Sequence, residues 1–213
     1  GVPTPPYRML RTEADLAAAT ALDFPWFVKL AHEDASLGIT EANVVRSHEE
    51  LVRRARELWA EFKEPVLAER FVDGREVNVT ILGWRDSTRV LPLHEIDFGA
   101  MPDDRPRIVS YAAKWEEGHV DYIGTEPVPM APSPPELVAE IERVATASFH
   151  AIELRDYGRV DLRVDAAGMP WVIDVNPNPD ISPDSGVTRA AAAAGWSHPQ
   201  LVNEIVRTAL ARY

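Results

Sequence analysis

Residues 158–165 (Gly-Arg-Val-Asp-Leu-Arg-Val-Asp), a four-residue turn and residues 170–176 (Pro-Trp-Val-Ile-Asp-Val-Asn) read as two antiparallel strands joined by a short connection. Setting Asp165 opposite Pro170 pairs Val164 with Trp171, Leu162 with Ile173 and Val160 with Val175, which makes one face apolar. The same register puts Asp161 opposite Asp174, and Arg159 opposite Asn176, on the other face. Two opposed carboxylates repel and weaken a sheet. A hard divalent cation offsets that repulsion, and Mg2+ is commonly held by one or two carboxylates with substrate phosphates completing its shell. Asn176 offers a third oxygen one alternation from Asp174. The alternative is a solvated polar sheet face that binds nothing. The polar, proline-bearing loop 176–186 favours the first reading, because binding residues concentrate in loops at strand ends, although Asn, Asp, Pro and Ser also build plain turns.

The elements that must hold this hairpin announce themselves by their caps. Thr12-Glu13-Ala14-Asp15 resembles a capping box and opens a short helix to about Leu22. Ser47-His48-Glu49-Glu50 is an S-x-x-E box followed by Leu51, Val52, Ala55, Leu58, Trp59 and Phe62 at the 3.6-residue period. Ser133-Pro134-Pro135-Glu136 sets proline at a helix start, before Leu137, Ile141, Val144, Ala145 and Phe149. Ser197 caps a last helix carrying Leu201, Val202, Ile205, Val206, Ala209 and Leu210, and the alanine run 190–194 also reads as helix. Strands are expected over 26–30, 66–72, 77–84, 90–98, 108–115, 158–165 and 170–176. Residues 127–135, with five prolines in nine, read as a surface crossover. Without a strict βαβ rhythm the expected class is α+β.

Composition removes several chemistries. The 213 residues contain no Cys, which excludes disulfides, thiolate metal sites and cysteine nucleophiles and fits a reducing, cytoplasmic location. With 22 Lys+Arg against 34 Asp+Glu the formal charge is −12, so neither nucleic acid nor an anionic membrane surface is an expected partner. No apolar run is long enough to span a bilayer, and no signal peptide is expected. The six His form no Ser-His-Asp arrangement.

The segment Arg159-Val160-Asp161…Asp174-Val175-Asn176-Pro177 resembles the metal-binding signature of the ATP-grasp superfamily, most closely its D-alanine–D-alanine ligase-like branch. Other segments follow in that family's order. Phe27-Val28-Lys29-Leu30 and Glu33-Asp34-Ala35-Ser36-Leu37-Gly38-Ile39 resemble the strand, lysine and small-residue phosphate loop. Residues 67–76 (Leu-Ala-Glu-Arg-Phe-Val-Asp-Gly-Arg-Glu) resemble the adenine hinge, and Tyr111-Ala112-Ala113-Lys114-Trp115 the second phosphate lysine. The likeness covers essentially the whole chain. It implies two α+β subdomains, 1–75 as the small lid and 76–213 as the large metal-bearing one, with antiparallel sheets clasping ATP. It implies that Lys29 and Lys114 meet phosphates, that the backbone around Ser36 and Gly38 covers the triphosphate, that Glu69 accepts from the adenine amino group beside the Phe71 and Val72 backbone, and that Glu76 holds ribose hydroxyls. Asp161, Asp174 and Asn176 then ligate Mg2+ (two ions, with Mn2+ as a substitute), Arg159 stabilises charge developing at the reacting centre, and Ser185 meets the accepting substrate's carboxylate.

The implied activity is ATP-dependent joining of a small-molecule carboxylate to an amine through an acyl phosphate, with a homodimer left open. A non-catalytic nucleotide-binding module is the alternative, and a Ca2+-binding module using the 161–184 acids a third reading. Four positions depart from the family: Asp174 replaces the usual Glu, Ala35 and Trp115 replace the Ser and Tyr of D-alanine ligases, and Asp180 replaces a Gly. The changes at 35 and 115 argue against dipeptide formation from D-alanine, and the shorter Asp174 draws the metal closer or puts a water between. The chain begins at Gly1 and is expected to lack a preceding α/β domain with its own ATP-contacting lysine, and so to be the ATP-binding and C-terminal portion of a longer protein.

Overall fold

The computed structural model of the protein describes residues 1–21 and 23–211, so the expected end of the first helix at Leu22 lies outside them. The chain divides into one unit of Gly1–Thr4, Val72–Ile96 and Pro127–Tyr213 and another of Pro5–Phe71 and Asp97–Glu126. The cut expected after residue 75 thus falls between Phe71 and Val72. Residues 97–126 join the N-terminal unit because they are bonded into it: Ser36 Oγ donates to the Val109 carbonyl at 3.0 Å and the Tyr111 N–H to the Ile39 carbonyl at 2.9 Å.

In the unit Pro5–Phe71 and Asp97–Glu126, strands β1 (Tyr7–Leu10), β2 (Trp26–Leu30), β3 (Val44–Val45) and β4 (Val66–Arg70) form an antiparallel sheet in the order β1-β4-β2-β3. Helix α1 (Glu13–Ala18) starts at the expected Thr12 box, and helix α2 (His48–Phe62) at Ser47, whose hydroxyl accepts from the Glu50 N–H. Leu51, Ala55 and Leu58 lie one turn apart on α2 and are buried in the core with Val28, Leu30, Val66 and Ala68. Burying a leucine this completely contributes about 2 kcal/mol.

The strand expected over 108–115 is a correction. Residues Tyr111–Trp115 form a helix, α3, followed by α4 (Val120–Ile123). Ser110 is the cause: its hydroxyl accepts from the Ala113 N–H at 3.1 Å and donates to buried Asp121 at 2.6 Å, closing the turn.

The other unit is built on strands β5 (Arg75–Gly83), β6 (Arg89–Val90), β7 (His94–Asp97), β8 (Glu126–Pro129), β9 (Asp156–Val164) and β10 (Pro170–Asn176). Their order is β10-β9-β5-β7-β8, with β6 pairing β5. The run expected as one strand over 90–98 is split at Pro92, which has no N–H for the ladder. The supposed crossover at 127–135 begins with β8, an edge strand where Pro127 and Pro129 are tolerated. Helix α5 (Pro135–Ala151) lays Ile141, Val144, Ala145 and Phe149 on Val77, Val79, Ile81, Val160 and Leu162. The opposite face is apolar only at one end, where Leu82, Leu91 and Tyr157 lie with residues of α6 (Gly186–Ala193) and α7 (His198–Leu210). The alternation Glu76-Val77-Asn78-Val79-Thr80 and Arg159-Val160-Asp161-Leu162-Arg163 gives the rest of that face its polar residues. Among the described residues no helix is long and apolar enough to cross a membrane.

Candidate functional site

The β9–β10 hairpin keeps the expected register where the candidate ligands lie: Asp174 faces Asp161, Val175 faces Val160 and Asn176 faces Arg159. Its turn-proximal half is a correction. Pro170, Trp171 and Val172 face Val164, Arg163 and Leu162, one residue away from the uniform register, and the shift is absorbed by a bulge between Val172 and Asp174. Val172 and Val175 can therefore both join the core, while Trp171 stands on the polar side opposite Arg163 with its Nε1–H donating to Asp165 at 2.9 Å.

Asp161 is the hub of this face. Arg159 approaches it as a two-pronged fork, Nε and Nη2 each 2.8 Å from a carboxylate oxygen, and Asn78 Nδ2 donates to Oδ1 at 2.9 Å from the neighbouring strand. One row of the sheet thus reads Asn78–Asp161–Asp174 and the next Thr80–Arg159–Asn176. Asp161 is 7% exposed, so it is not a merely solvated charge, whereas Asp174 beside it is exposed. The charge of Asp161 holds the Arg159 guanidinium above its ordinary pKa, against the opposing effect of burial, and Asp174 and Glu76 add to it. Arg159 is accordingly a fixed cation over the working pH range.

The donor set fits Mg2+. Asp161 and Asp174 present only oxygens and Asn176 adds its amide oxygen; a carboxylate has about four acceptor directions, of which the fork and Asn78 take three on Asp161. The Asn176 amide oxygen accepts from the Asn178 N–H at 2.8 Å and keeps a second lone pair. Among the described residues no three His, Cys, Asp or Glu side chains are grouped to hold a metal. Two carboxylates completed by phosphate oxygens are the coordination Mg2+ commonly takes.

Two further candidates of the same unit are tied up locally. Glu76 is buried and paired with Arg163 at 2.8 Å. Ser185 caps α6, accepting from the Thr188 N–H at 3.3 Å, and is itself buried. Val72 is buried at the point where the chain enters the unit.

In the other unit Lys29 and Glu69 meet across β2 and β4 at 2.8 Å. The Phe71 N–H donates to the Pro25 carbonyl at 3.0 Å, so any reading of a ring edge by Phe71 falls to its carbonyl. The loop after β2 runs through left-handed backbone at Ala35, Ser36 and Gly38 (φ 51°, 62° and 69°), and bonds from the Leu37 and Ile39 N–H groups to Asp34 and Ser36 close it on itself. The Gly38 carbonyl accepts from Arg54 at 2.8 Å and from buried Asn43 at 3.1 Å. The Ser36 hydroxyl is spent on the tether to Val109.

Lys114 is exposed on α3, and the next residue, Trp115, donates its indole N–H to the Ala35 carbonyl at 3.1 Å. Positions 35 and 115 are thus joined by a bond from a side chain to the main chain. Trp115→Phe removes that donor while leaving a side chain that is 59% exposed. The loss is about 1 kcal/mol at the loop. The expected outcome is several-fold faster amide exchange over residues 34–39, followed by mass spectrometry, with little change in melting temperature.

Asn43, Arg54, Asn78 and Arg163 were not among the candidates. Asn78 and Arg163 were signalled by strict alternation with Glu76 and Asp161, since period two puts them on the polar face.

A family profile described as the D-ala D-ala ligase C-terminus matches residues 1–207. The chain is 32% identical to the uncharacterised protein y4sG of Sinorhizobium fredii, over all of this chain and 60% of that protein. It is 30% identical to the D-alanine–D-alanine ligase of Bordetella avium, over 98% of this chain and 62% of the ligase. Among solved structures, the D-alanine–D-alanine ligase of Bacillus anthracis complexed with ATP superposes with a TM-score of 0.73 at 22% identity, covering 99% of this chain and 61% of that one. The chain spans about 60% of the length of the curated relatives it matches.

Proposed function

The chain belongs to the D-alanine–D-alanine ligase C-terminal family and has its ATP-grasp, α+β fold, and from that premise we propose that it is the ATP-binding and catalytic portion of an ATP- and Mg2+-dependent carboxylate–amine ligase. The observation that carries this reading is the Arg159 fork on Asp161, which faces Asp174 across the strand pair: a half-buried cation beside two carboxylates.

A substrate carboxylate oxygen attacks the γ-phosphorus of ATP, the bond to the β-phosphate oxygen breaks, and ADP leaves an acyl phosphate. An amine nitrogen then attacks the acyl carbon, phosphate departs with the bonding pair, and the ammonium proton passes to water or phosphate. Such chemistry needs alignment and charge neutralisation more than covalent participation. Asp161, Asp174 and Asn176 would hold Mg2+, which supplies charge neutralisation for the triphosphate. Two ions, and Mn2+ in their place, belong to the same proposal.

Arg159, charged throughout and already oriented by its fork, stabilises the negative charge that grows on the transferring phosphoryl and tetrahedral centres. Lys29 and Lys114 would meet phosphates as point charges, and the backbone N–H groups around Ala35, Ser36 and Gly38 would cover the triphosphate, which small residues allow to come close. Glu69, with the Phe71 carbonyl and Val72 backbone, reads the adenine. Glu76 takes the ribose hydroxyls. Ser185, as the cap of α6, fixes the helix terminus toward the accepting substrate. The substrates are a small carboxylate and an amine, and the site is proposed to act in the cytoplasm.

A non-catalytic nucleotide module is the second reading, favoured by the shorter Asp174 in place of Glu. Phosphate release from ATP, measured on the protein in its full natural length against a panel of amino acids and dipeptides, separates the two. Amine-dependent release supports the ligase; nucleotide binding without release for any amine supports the module.

A further inference from the structure

Arg163 occupies an unusual place for an arginine. It lies in the middle of the sheet, its side chain 5% exposed, opposite Glu76 of β5 and Trp171 of β10. Its Nη2 lies 2.8 Å from Glu76 Oε2, and its Nη1 donates to the Gly74 carbonyl at 3.2 Å. One guanidinium thus spans the carbonyl two residues before Glu76 and the Glu76 carboxylate itself. It pins the start of β5 and the direction of that carboxylate together.

Burying such a pair costs desolvation, and an apolar pair of similar volume is often as stable or more so. Stability alone is therefore a weak reason for this arrangement. Orientation is a better one. A carboxylate presents about four acceptor directions; one prong of the guanidinium takes one of them on Glu76 while the other prong anchors it to the Gly74 carbonyl, which restricts how the carboxylate can turn. A carboxylate so held can accept from two neighbouring hydroxyls at once, which an unsupported glutamate with three free torsions does only at a cost in rotamer entropy.

We infer that Arg163 is a positioning residue that acts through Glu76 and sets the preference of the site for a ribose over a deoxyribose nucleoside triphosphate. This rests on the proposed role of Glu76 toward the ribose hydroxyls. Arg163 touches neither the nucleotide nor the reacting atoms; it holds the group that does.

The test is calorimetric binding of ATP, 2′-deoxy-ATP and 3′-deoxy-ATP to the 213-residue chain with Mg2+ present, for the unaltered protein, Glu76→Gln, Arg163→Met and Arg163→Lys. Arg163→Met leaves a buried carboxylate without its cation, so a melting curve accompanies each variant. Arg163→Lys keeps the charge but cannot span both acceptors. The unaltered protein is expected to bind ATP about tenfold more tightly than either deoxy form, the worth of one charge-assisted hydrogen bond. Both folded Arg163 variants are expected to bind ATP more weakly and to bring the ratio within about twofold of unity, as Glu76→Gln does. A folded Arg163 variant that keeps the full ratio, while Glu76→Gln loses it, overturns the role of Arg163 and leaves that of Glu76 standing. An unaltered ratio in Glu76→Gln, or no ATP binding by the unaltered protein, overturns the underlying reading and this inference with it.

Discussion

Asp161→Asn is expected to leave a folded protein that has lost the Mg2+-dependent part of its ATP affinity and slowed phosphate release by about 100-fold or more. The reason is the number of roles on one carboxylate. It receives both prongs of Arg159 and the Asn78 amide, and it faces Asp174 across the strand pair. An amide in its place turns one accepting oxygen into a donor aimed at a guanidinium that can only donate. It also removes the charge that holds Arg159 and one of the two proposed anionic metal ligands. Breaking one partner of a buried ion pair costs about 3 kcal/mol. For a chain of this length that is roughly 6–12 °C in melting temperature. Asp165→Asn, in the turn of the same hairpin, is the contrast: Asp165 accepts from the Ala167 and Met169 N–H groups and Trp171, so its replacement lowers the melting temperature without touching the Mg2+ dependence. Thermal melts and nucleotide titrations with and without Mg2+ read both effects.

Gly74→Ala should be the most damaging small substitution in the chain. A Cβ at Gly74 would lie 2.0 Å from the Val164 carbonyl oxygen and 2.9 Å from its carbon, and the backbone there has φ near +156°. Both obstacles are main chain, so no side-chain rotation relieves them. The first residues of β5 must move away from β9, where Arg75 is paired with Val164. The Gly74 carbonyl moves with them and leaves Arg163. A cost of about 3 kcal/mol or more is expected, seen as a lower urea midpoint and, if the protein still folds, weaker ATP binding. Gly186→Ala sets the scale: nothing lies within 4 Å of the added atom, and its effect should stay within about 0.5 kcal/mol.

Both predictions concern one sheet face, and much of that face was legible in the sequence. Period-two alternation placed Arg159, Asp161, Asp174 and Asn176 together, because every second residue of a strand shares a face whatever the rest of the fold does. The helices that cover the sheets were equally legible, since Ser47 and Thr12 cap them through bonds only three residues long. What failed depended on something farther away. Trp171, Val172 and Ile173 are all apolar, so alternation could not choose between them, and the bulge went unseen. Residues 108–115 looked like a strand because Ser110 is held in its capping position by Asp121, eleven residues later. The tie of Arg163 could not be foreseen because its partners, Gly74 and Glu76, lie nearly ninety residues earlier, at the start of another strand. The bonds that draw residues 97–126 to the N-terminal unit are long-range in the same way, reaching Ser36 and Ile39.

The roles of Lys29, Glu69, Lys114 and the hairpin acids converge on a single claim, that this chain binds a nucleoside triphosphate through Mg2+. Calorimetric titration of the 213-residue chain with a non-hydrolysable ATP analogue tests it most directly. Saturable one-site binding with Mg2+, weakened when the metal is chelated and abolished by Asp161→Asn together with Lys29→Ala, is the predicted result. No binding in either condition, or binding indifferent to Mg2+ and to both substitutions, would contradict it.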